Sequence, residues 1–428
     1  MKLLVFAHTP PPHHGQSYMV QLMLEGLGGD CRKRSSGARP EANSRGIECY
    51  HVNTRVSKGL QDIGDFRFGK LLLLFWYCLE AIWCRFRYGV DNFYFIPAPG
   101  KWTALYRDWL VMFLCRPFFK RFVLHWHASG LGHWLETTAV MRTRSVTYTL
   151  AKKADLSIVL SEYGRADAEK FYPRNIAVVG NGIPDPCVDF EQKVLPRRRA
   201  RLAARRLLQA GKPVPAEVAA DAGRGASTFT VLFMAHCTRE KGLFDAIEGV
   251  LLAQRQLAER RSPVSLRLVI AGQFATEAEE RAFDESLNGP GRGVLEYAGF
   301  ISGEQKRRWF EEADGFCFPS HIESFGLVLA EAMAFGLPVV ATRCGAMPEV
   351  MSPDYPGLVD PHQLAQIGQA LVELISFDGF ERLRRRFESR YTVERHLDQL
   401  AAALRWVDNS APRANLTTPI AKAGAVLT

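Results

Sequence analysis

Two carboxylates, Glu323 and Glu331, stand eight positions apart around the turn Ser324-Phe325-Gly326. Gly315 to Phe318, closed by Pro319, reads as a short buried strand, and Leu327 to Ala334 has the apolar spacing of a helix. Glu323 is then in a strand-to-helix turn and Glu331 further along the helix. At about 1.5 Å of rise per residue their Cα atoms would lie roughly 12 Å apart if the intervening chain were helical. That separation suits an elongated ligand whose middle sits at the helix start. The free backbone N–H groups of Phe325, Gly326 and Leu327 are expected to offer the positive end of the helix dipole to an anion such as a diphosphate, and Gly326 lets it come close. Two glutamates on a helix are otherwise simply solvated charges, so the surroundings decide.

A cation stands in a similar place. Lys241 follows the apolar run Phe229 to Ala235 and precedes, with Gly242, a helix from Leu243. A lysine there can reach a diphosphate and stabilise the charge that grows on a departing phosphate, or it can be surface decoration. His125 and His127 end another strand, Arg121 to Trp126, and alternation points both to one face. Either can line a cleft or be a core histidine bonded to a backbone carbonyl. A metal would want a third ligand, which the sequence does not identify, and no Asp-x-Asp element is present.

After Glu323 and Glu331 come Gly336, Pro338, Val339 and Val340, then Gly345 and Glu349. This run of motifs resembles the retaining nucleotide-sugar glycosyltransferases of family 4, which have the GT-B fold. The resemblance implies a donor in the second domain, with Glu331 on the ribose, Glu323 on the sugar, and Lys241 on the diphosphate. Ser324, Phe325, Gly326 and Leu327 would meet phosphate or sugar through the turn, and His127 would face the transferred sugar. It implies no metal and no cofactor. Retention would come from attack on the leaving-group face, with a phosphate oxygen taking the acceptor proton, so Glu323 has a positioning and electrostatic role. The sequence departs from the family at two points. The first loop has one glycine, Gly15, beside Gln16, where the family has two. Ala235-His236 replaces a Gly-Arg pair, leaving the arginine's work to Arg239, to His236 or to Lys241 alone. Two other readings stay open: a nucleotide-sugar epimerase of the same fold, and a non-catalytic nucleotide-sugar-binding homologue. A glycoside hydrolase is disfavoured, because its carboxylates must approach one bond within roughly 5 to 9.5 Å.

The elements that must position these residues alternate along the chain. At 428 residues the chain has room for two domains. Strands at Lys2 to His8, Asn92 to Ile96, Arg121 to Trp126, Leu156 to Leu160 and Ile176 to Val179 belong to the first. Strands at Phe229 to Ala235, Leu266 to Gly272, Leu295 to Phe300, Gly315 to Phe318 and Leu337 to Ala341 belong to the second. Strands alternating with helices predict two doubly wound, Rossmann-like α/β domains facing across a cleft, as the GT-B resemblance implies. The expected division is an acceptor-side domain 1–183, a basic Ala/Arg-rich linker or insertion 184–227, a donor domain 228–378, closing helices 379–407 that cross back to the first domain, and a loose tail 408–428. The stretch after Gly211 lacks an apolar period and reads as disordered; the arginines before it can form a short basic helix, expected to be a solvated insert rather than a contact with acidic membrane lipid.

Composition sets the compartment. Hydrophobic residues at 47% and charged residues at 23% describe a globular protein. Nine cysteines without a C-x-x-C pair point to a reducing cytosol. No secretory leader is read at Met1-Lys2, and the apolar stretch Leu71 to Cys84 is too short to span a bilayer. The net charge of +9 includes basic residues flanking aromatic helices: Arg67, Lys70, Arg85 and Arg87, then Arg107, Arg116, Lys120 and Arg121. Such helices can lie on an anionic membrane or be buried with basic ends. No nucleic-acid motif is present. The expected partners are a nucleotide-sugar donor, a glycan or lipid-linked acceptor, and anionic membrane lipid. The expected location is the cytoplasm, at the inner face of the cell membrane.

Overall fold

The computed structural model describes residues 1–11, 14–33, 45–55, 68–223 and 225–410. Pro12, His13, Arg67 and the tail from 411 onward lie outside the described residues. The first sheet contains β1 (Lys2–Phe6), β2 (Glu48–Val52), β3 (Asn92–Phe95), β4 (Arg121–Trp126), β5 (Leu156–Val159) and β6 (Ile176–Val178), in the order β2-β1-β3-β4-β5-β6. The second contains β7 (Thr228–Met234), β8 (Ser265–Ala271), β9 (Leu295–Gly299), β10 (Gly315–Phe318), β11 (Val339–Thr342) and β12 (Leu358–Val359), in the order β12-β11-β10-β7-β8-β9. Every pairing is parallel. Parallel sheets are covered on both faces, and accordingly Leu3-Leu4-Val5-Phe6 and Val231-Leu232-Phe233 are buried without alternation.

Strand order fixes where ligands gather. In the second sheet the chain runs from β7 out to β9 on one side and from β10 out to β12 on the other, so the loops after β7 and β10 diverge at a crevice. Lys241 follows β7 and Glu323 follows β10, which is why residues 82 positions apart meet. In the first sheet the equivalent opening lies between β1 and β3.

The ten expected strands are present; Arg121–Trp126 and Gly315–Phe318 keep their expected bounds, and the others are shortened or shifted by one or two residues. Two strands went unread from sequence. β2 (Glu-Cys-Tyr-His-Val) carries a histidine, buried because its Nε2 bonds Ala7 O at 2.8 Å. β12 has only two residues. The helix Trp102–Cys115 tightens at its end into a 3-10 turn, Arg116–Phe118, where Pro117 lacks the N–H that would continue it.

One face of the first sheet packs on the Phe68–Tyr88 and Trp102–Cys115 helices; the other packs on Gly15–Gly26 and on Val393–Asn409. The two closing helices divide. Phe380, Leu383 and Phe387 join the core of the second domain, whereas Leu400, Leu404 and Val407 join the core of the first. The last helix therefore crosses back, and its entry is pinned where Ile183 pairs with Thr392.

The basic linker differs from a solvated insert. Leu195–Gln209 is a helix, and Arg198, Arg201 and Arg205 are buried against the second domain. Arg198 donates to the carbonyls of Phe335, Ala313 and Phe310, each at 2.8 Å, and Arg201 and Arg205 pair with buried Asp314. These guanidiniums satisfy carbonyls at chain ends that helical bonding leaves open. The stretch after Gly211 holds a short helix, Ala216–Ala222. Arg198→Leu should lower unfolding stability by on the order of 3 kcal/mol, because three buried acceptors lose their donor. The midpoint of urea unfolding measures it, with Arg199→Leu on the exposed side as the control.

Candidate active site

The turn after β10 is built around Glu323. Its Oε1 accepts from the N–H groups of Ser324 (3.1 Å), Phe325 (3.3 Å) and Gly326 (3.1 Å), and its Oε2 lies 3.0 Å from Lys241 Nζ. Lys241 also donates to Ile322 O at 3.1 Å. The structure differs here from the expectation that the amides of Phe325 and Gly326 stand free for an anion: the protein's own carboxylate occupies them. The Leu327 and Val328 N–H groups, next along the helix, have no partner among the described residues. The helix proper starts at Leu327, so only part of the Glu-x7-Glu spacing is helical.

Two glycines let the backbone close around this turn. Gly242 has φ +76°, and a Cβ there would lie 2.1 Å from Pro319 O. Gly345 has φ +55°, and its Cβ would lie 1.8 Å from Glu323 O. Both positions exclude other residues by left-handed backbone and by space. The carboxylate of Glu349, four residues on, accepts from the N–H groups of Glu162 and Tyr163 at 2.8 and 2.6 Å, at the start of the first-domain helix Glu162–Glu169. It joins the two domains.

Glu331 pairs with Lys306, Nζ to Oε1 at 2.5 Å. Sequence gave no signal for Lys306, which sits in the charged helix Gly303–Glu312 like a surface residue. Tyr18 of the first domain faces the same carboxylate: desolvation first, then the Glu331 charge, raises its phenol pKa. Gly15 is opposite the helix start, where a side chain at 15 would come within 3.3 Å of Leu327 Cδ1. Ser324 Oγ bonds both the N–H and the Oγ of Ser129, at 3.2 Å each, across the cleft.

The histidines line the first-domain wall. His125 is fully buried and its Nδ1 takes the Tyr94 hydroxyl at 2.5 Å. The His127 ring is 4.2 Å from that of His125 and half-buried at the cleft. Although part of the ring faces the opening, desolvation, then His396 and His14, push its pKa down to about 3, so it is neutral at physiological pH. His396 comes from the last helix and bonds Gly180 O at 2.8 Å. The sequence held no sign that this residue would stand behind His127. His8 and His14 complete the wall, their Nε2 atoms 2.8 Å apart.

The three candidate replacements for the missing arginine separate. Lys241 reaches the Glu323 carboxylate. Arg239 is exposed, with its guanidinium 4.4 Å over the Phe244 ring, so it is brought to the rim and not onto the helix start. His236 is open on its outer side; on its inner side desolvation, and then Lys241, lower its pKa. One further group escaped sequence reading: Asp245, His321 and His362, whose ligand atoms lie within 4.8 Å of one another, with His321 Nε2 bonded to Asp245 at 2.8 Å.

Comparison with known proteins agrees with this layout. Residues 218–391 match the family model "Glycosyl transferases group 1". Among curated proteins, the D-inositol 3-phosphate glycosyltransferase of Pseudarthrobacter chlorophenolicus is 33% identical over 155 residues, 36% of each chain. That of Corynebacterium urealyticum is 29% identical over 261 residues, 60% of this chain and 55% of the other. The O-antigen chain mannosyltransferase B of Escherichia coli is 28% identical over 137 residues, 32% of this chain and 35% of the other. The chain thus spans 36% of the length of the first curated relative it matches. Among solved structures, sucrose-phosphate synthase from Thermosynechococcus elongatus superposes with a TM-score of 0.64 at 18% identity, covering 95% of this chain and 99% of that one. Anabaena HepE in complex with UDP and glucose gives 0.60 at 16% identity, covering 94% and 99%. The fold is the two-domain GT-B fold of the solved structures on which the chain superposes, and the match to the glycosyl transferases group 1 model is confined to residues 218–391.

Proposed function

We propose that this protein transfers a sugar from a nucleotide-sugar donor to an acceptor with retention at the anomeric carbon. The observation that carries the reading is the meeting of Lys241 with Glu323 at the start of the Leu327–Ala334 helix, at the crevice of the second sheet. A cation, a carboxylate and unpartnered helix N–H groups at one point suit a sugar diphosphate: phosphate at Lys241 and the amides of Leu327 and Val328, sugar hydroxyls at Glu323. Glu323 holds Lys241, the site's positive charge. A diphosphate entering there competes for Lys241 and leaves Glu323 free to turn toward the sugar. The ribose lies at Glu331, where it competes with Lys306. Neutral His127 can donate to one hydroxyl of the transferred sugar or accept from it. Arg239 and Gly15 belong to the donor site's rim in this reading. The acceptor proton passes to a phosphate oxygen of the donor, and no metal or cofactor takes part.

The acceptor is a glycan or a lipid-linked glycan of the cell envelope or of an exported polysaccharide, handled in the cytoplasm at the inner face of the membrane. A relative named for O-antigen chain synthesis supports that class. No helix among the described residues is long and apolar enough to cross a membrane.

The test begins with binding. One of UDP, GDP or ADP should raise thermal stability, by about 2.7 kcal/mol at a hundredfold excess over its Kd. The corresponding nucleotide sugar should then release nucleoside diphosphate at a rate unchanged by EDTA. If no nucleoside diphosphate stabilises the protein, the reading fails. Epimerised donor would mark an epimerase, and binding without turnover a binder.

A further inference from the structure

The outward side of the Phe68–Tyr88 helix is apolar where a surface helix is ordinarily polar. Leu72, Phe75, Trp76, Leu79, Trp83 and Phe86 follow a spacing of three, four and seven and fall on one stripe about 100° wide and roughly 21 Å long. All six are exposed, Trp76 by 65%, Trp83 by 53% and Phe86 by 69%. The opposite side, Leu74, Cys78, Ala81 and Cys84, is buried on the first sheet. The neighbouring Trp102–Cys115 helix covers the same sheet face and turns Tyr106 and Phe113 outward, the latter 69% exposed. Phe118, after it, meets Phe86 edge-on with ring centroids 6.1 Å apart, which makes the two stripes one surface. A contiguous apolar patch of this extent on a protein surface marks an interaction site.

We infer that this surface seats the protein on an anionic lipid bilayer, the two helices lying in the headgroup zone. Tryptophan and phenylalanine with arginine and lysine at the edge are the residues that settle at that depth. Arg87, beside Phe86, Lys101, at the start of the Trp102–Cys115 helix, and Arg142, in the helix Met141–Ala151 that packs against it, are exposed and pair with no carboxylate among the described residues. The acids on the same stretch are already engaged, Glu80 by Arg32 and Asp91 by Arg85 and Lys120. A second copy docked face to face by a two-fold axis would set these unpaired cations against their own kind with no acid to meet them, whereas anionic headgroups neutralise them. Tyr77, on the first half of the Phe68–Tyr88 helix, bonds Arg55 O just beyond the end of β2, so this half of the stripe lies toward the strand ends that open on the cleft. The inference rests on the proposed function only for placing the acceptor at the membrane; the surface stands by itself.

Co-sedimentation with vesicles tests it without any turnover. The full-length protein should sediment with phosphatidylcholine vesicles containing phosphatidylglycerol at low salt, and much less with pure phosphatidylcholine. The double variant Trp83→Ser/Phe86→Ser should weaken this by roughly tenfold or more, and Arg87→Glu severalfold. These side chains are exposed, so far-UV circular dichroism and melting should be unchanged; Trp76→Ser is a second, independent variant. Absence of vesicle binding at low salt, or equal binding by the double variant, overturns the inference. So does a dimer in light scattering that the double variant dissociates while vesicles capture nothing. Release of nucleoside diphosphate in solution, measured on the same variants, reports separately on the proposed function and is expected to be unchanged.

Discussion

Lys241→Met is expected to lower nucleoside diphosphate release from the donor by about 10³-fold, and Arg239→Ala by less than about tenfold. The contrast follows from where the two cations are held. Lys241 Nζ lies 3.0 Å from Glu323, beside the helix start, in a turn that Gly242 locks against Pro319. It is preorganised, partly desolvated, and aimed at the position where charge develops on a departing phosphate. Arg239 is exposed and stacked on Phe244, and must leave that ring and cross solvent to act. A cation of the first kind acts in a low-dielectric site, one of the second mostly through water, where the same charge is worth far less. A purely structural lysine would give a different result. Lys241→Met would then lower melting temperature through the uncompensated Glu323 carboxylate while leaving turnover per folded molecule near the unmodified value. In the catalytic case turnover falls on protein that is still folded at the assay temperature. Steady-state release assays beside thermal melts separate the two.

What the sequence held and what it did not differ by the range of the contact. The turn Glu323 to Gly326, the helix after it and the strand before it are local, and their residue types announce them. The neighbour of each glutamate is a different matter. Lys241 could be placed because it sits in its own strand-to-helix turn, and the strand order of a doubly wound sheet sends that turn to the same crevice. Lys306 could not, because nothing in the helix Gly303–Glu312 distinguishes a lysine that faces Glu331 from its solvated neighbours. The occupied amides at Phe325 and Gly326 are hidden in the sequence for a related reason: a carboxylate two or three residues ahead of a helix-start N–H is itself an acceptor for it. The arginines of Leu195–Gln209 look like a solvated run in one dimension. Only the carbonyl ends of two distant helices, at Phe310 and Ala313 and at Phe335, turn them into buried caps. The helix Phe68–Tyr88 had two readings from composition. Its exposed stripe could be told from a buried one only once Leu74, Cys78, Ala81 and Cys84 had taken the inner face.

Stability should stay level from pH 8 to about 7 and fall steeply below about 6.5, well before the carboxylates titrate. Seven histidines have lowered folded-state pKa values, chiefly by desolvation: His8 to about 4, His127 to about 3, and His14, His51, His125, His236 and His396 by direction. The sign follows from proton counting. Between the folded value and the unfolded value of about 6.5, the unfolded chain binds more protons, so lowering pH favours unfolding. The contribution is complete above about 6.5 and is lost as pH falls toward each folded pKa. Each fully buried histidine adds a slope of up to about 1.4 kcal/mol per pH unit in that window. His125, 1% exposed and pushed well below its ordinary value, should contribute nearly that much; His396, also 1% exposed and lowered, contributes in the same direction, while His236, open to solvent, should contribute little. Urea midpoints at pH 7.5, 6.5 and 5.5 at constant ionic strength read the slope, and His396→Gln should make it shallower. An unchanged slope in that variant would mean that His396 is as accessible to protons folded as unfolded. The catalytic consequence runs the other way. Because His127 stays neutral down to about 3, donor turnover measured on protein that is still folded should show no inflection near pH 6.5 from this residue, and the acid limit of activity should coincide with the loss of the fold.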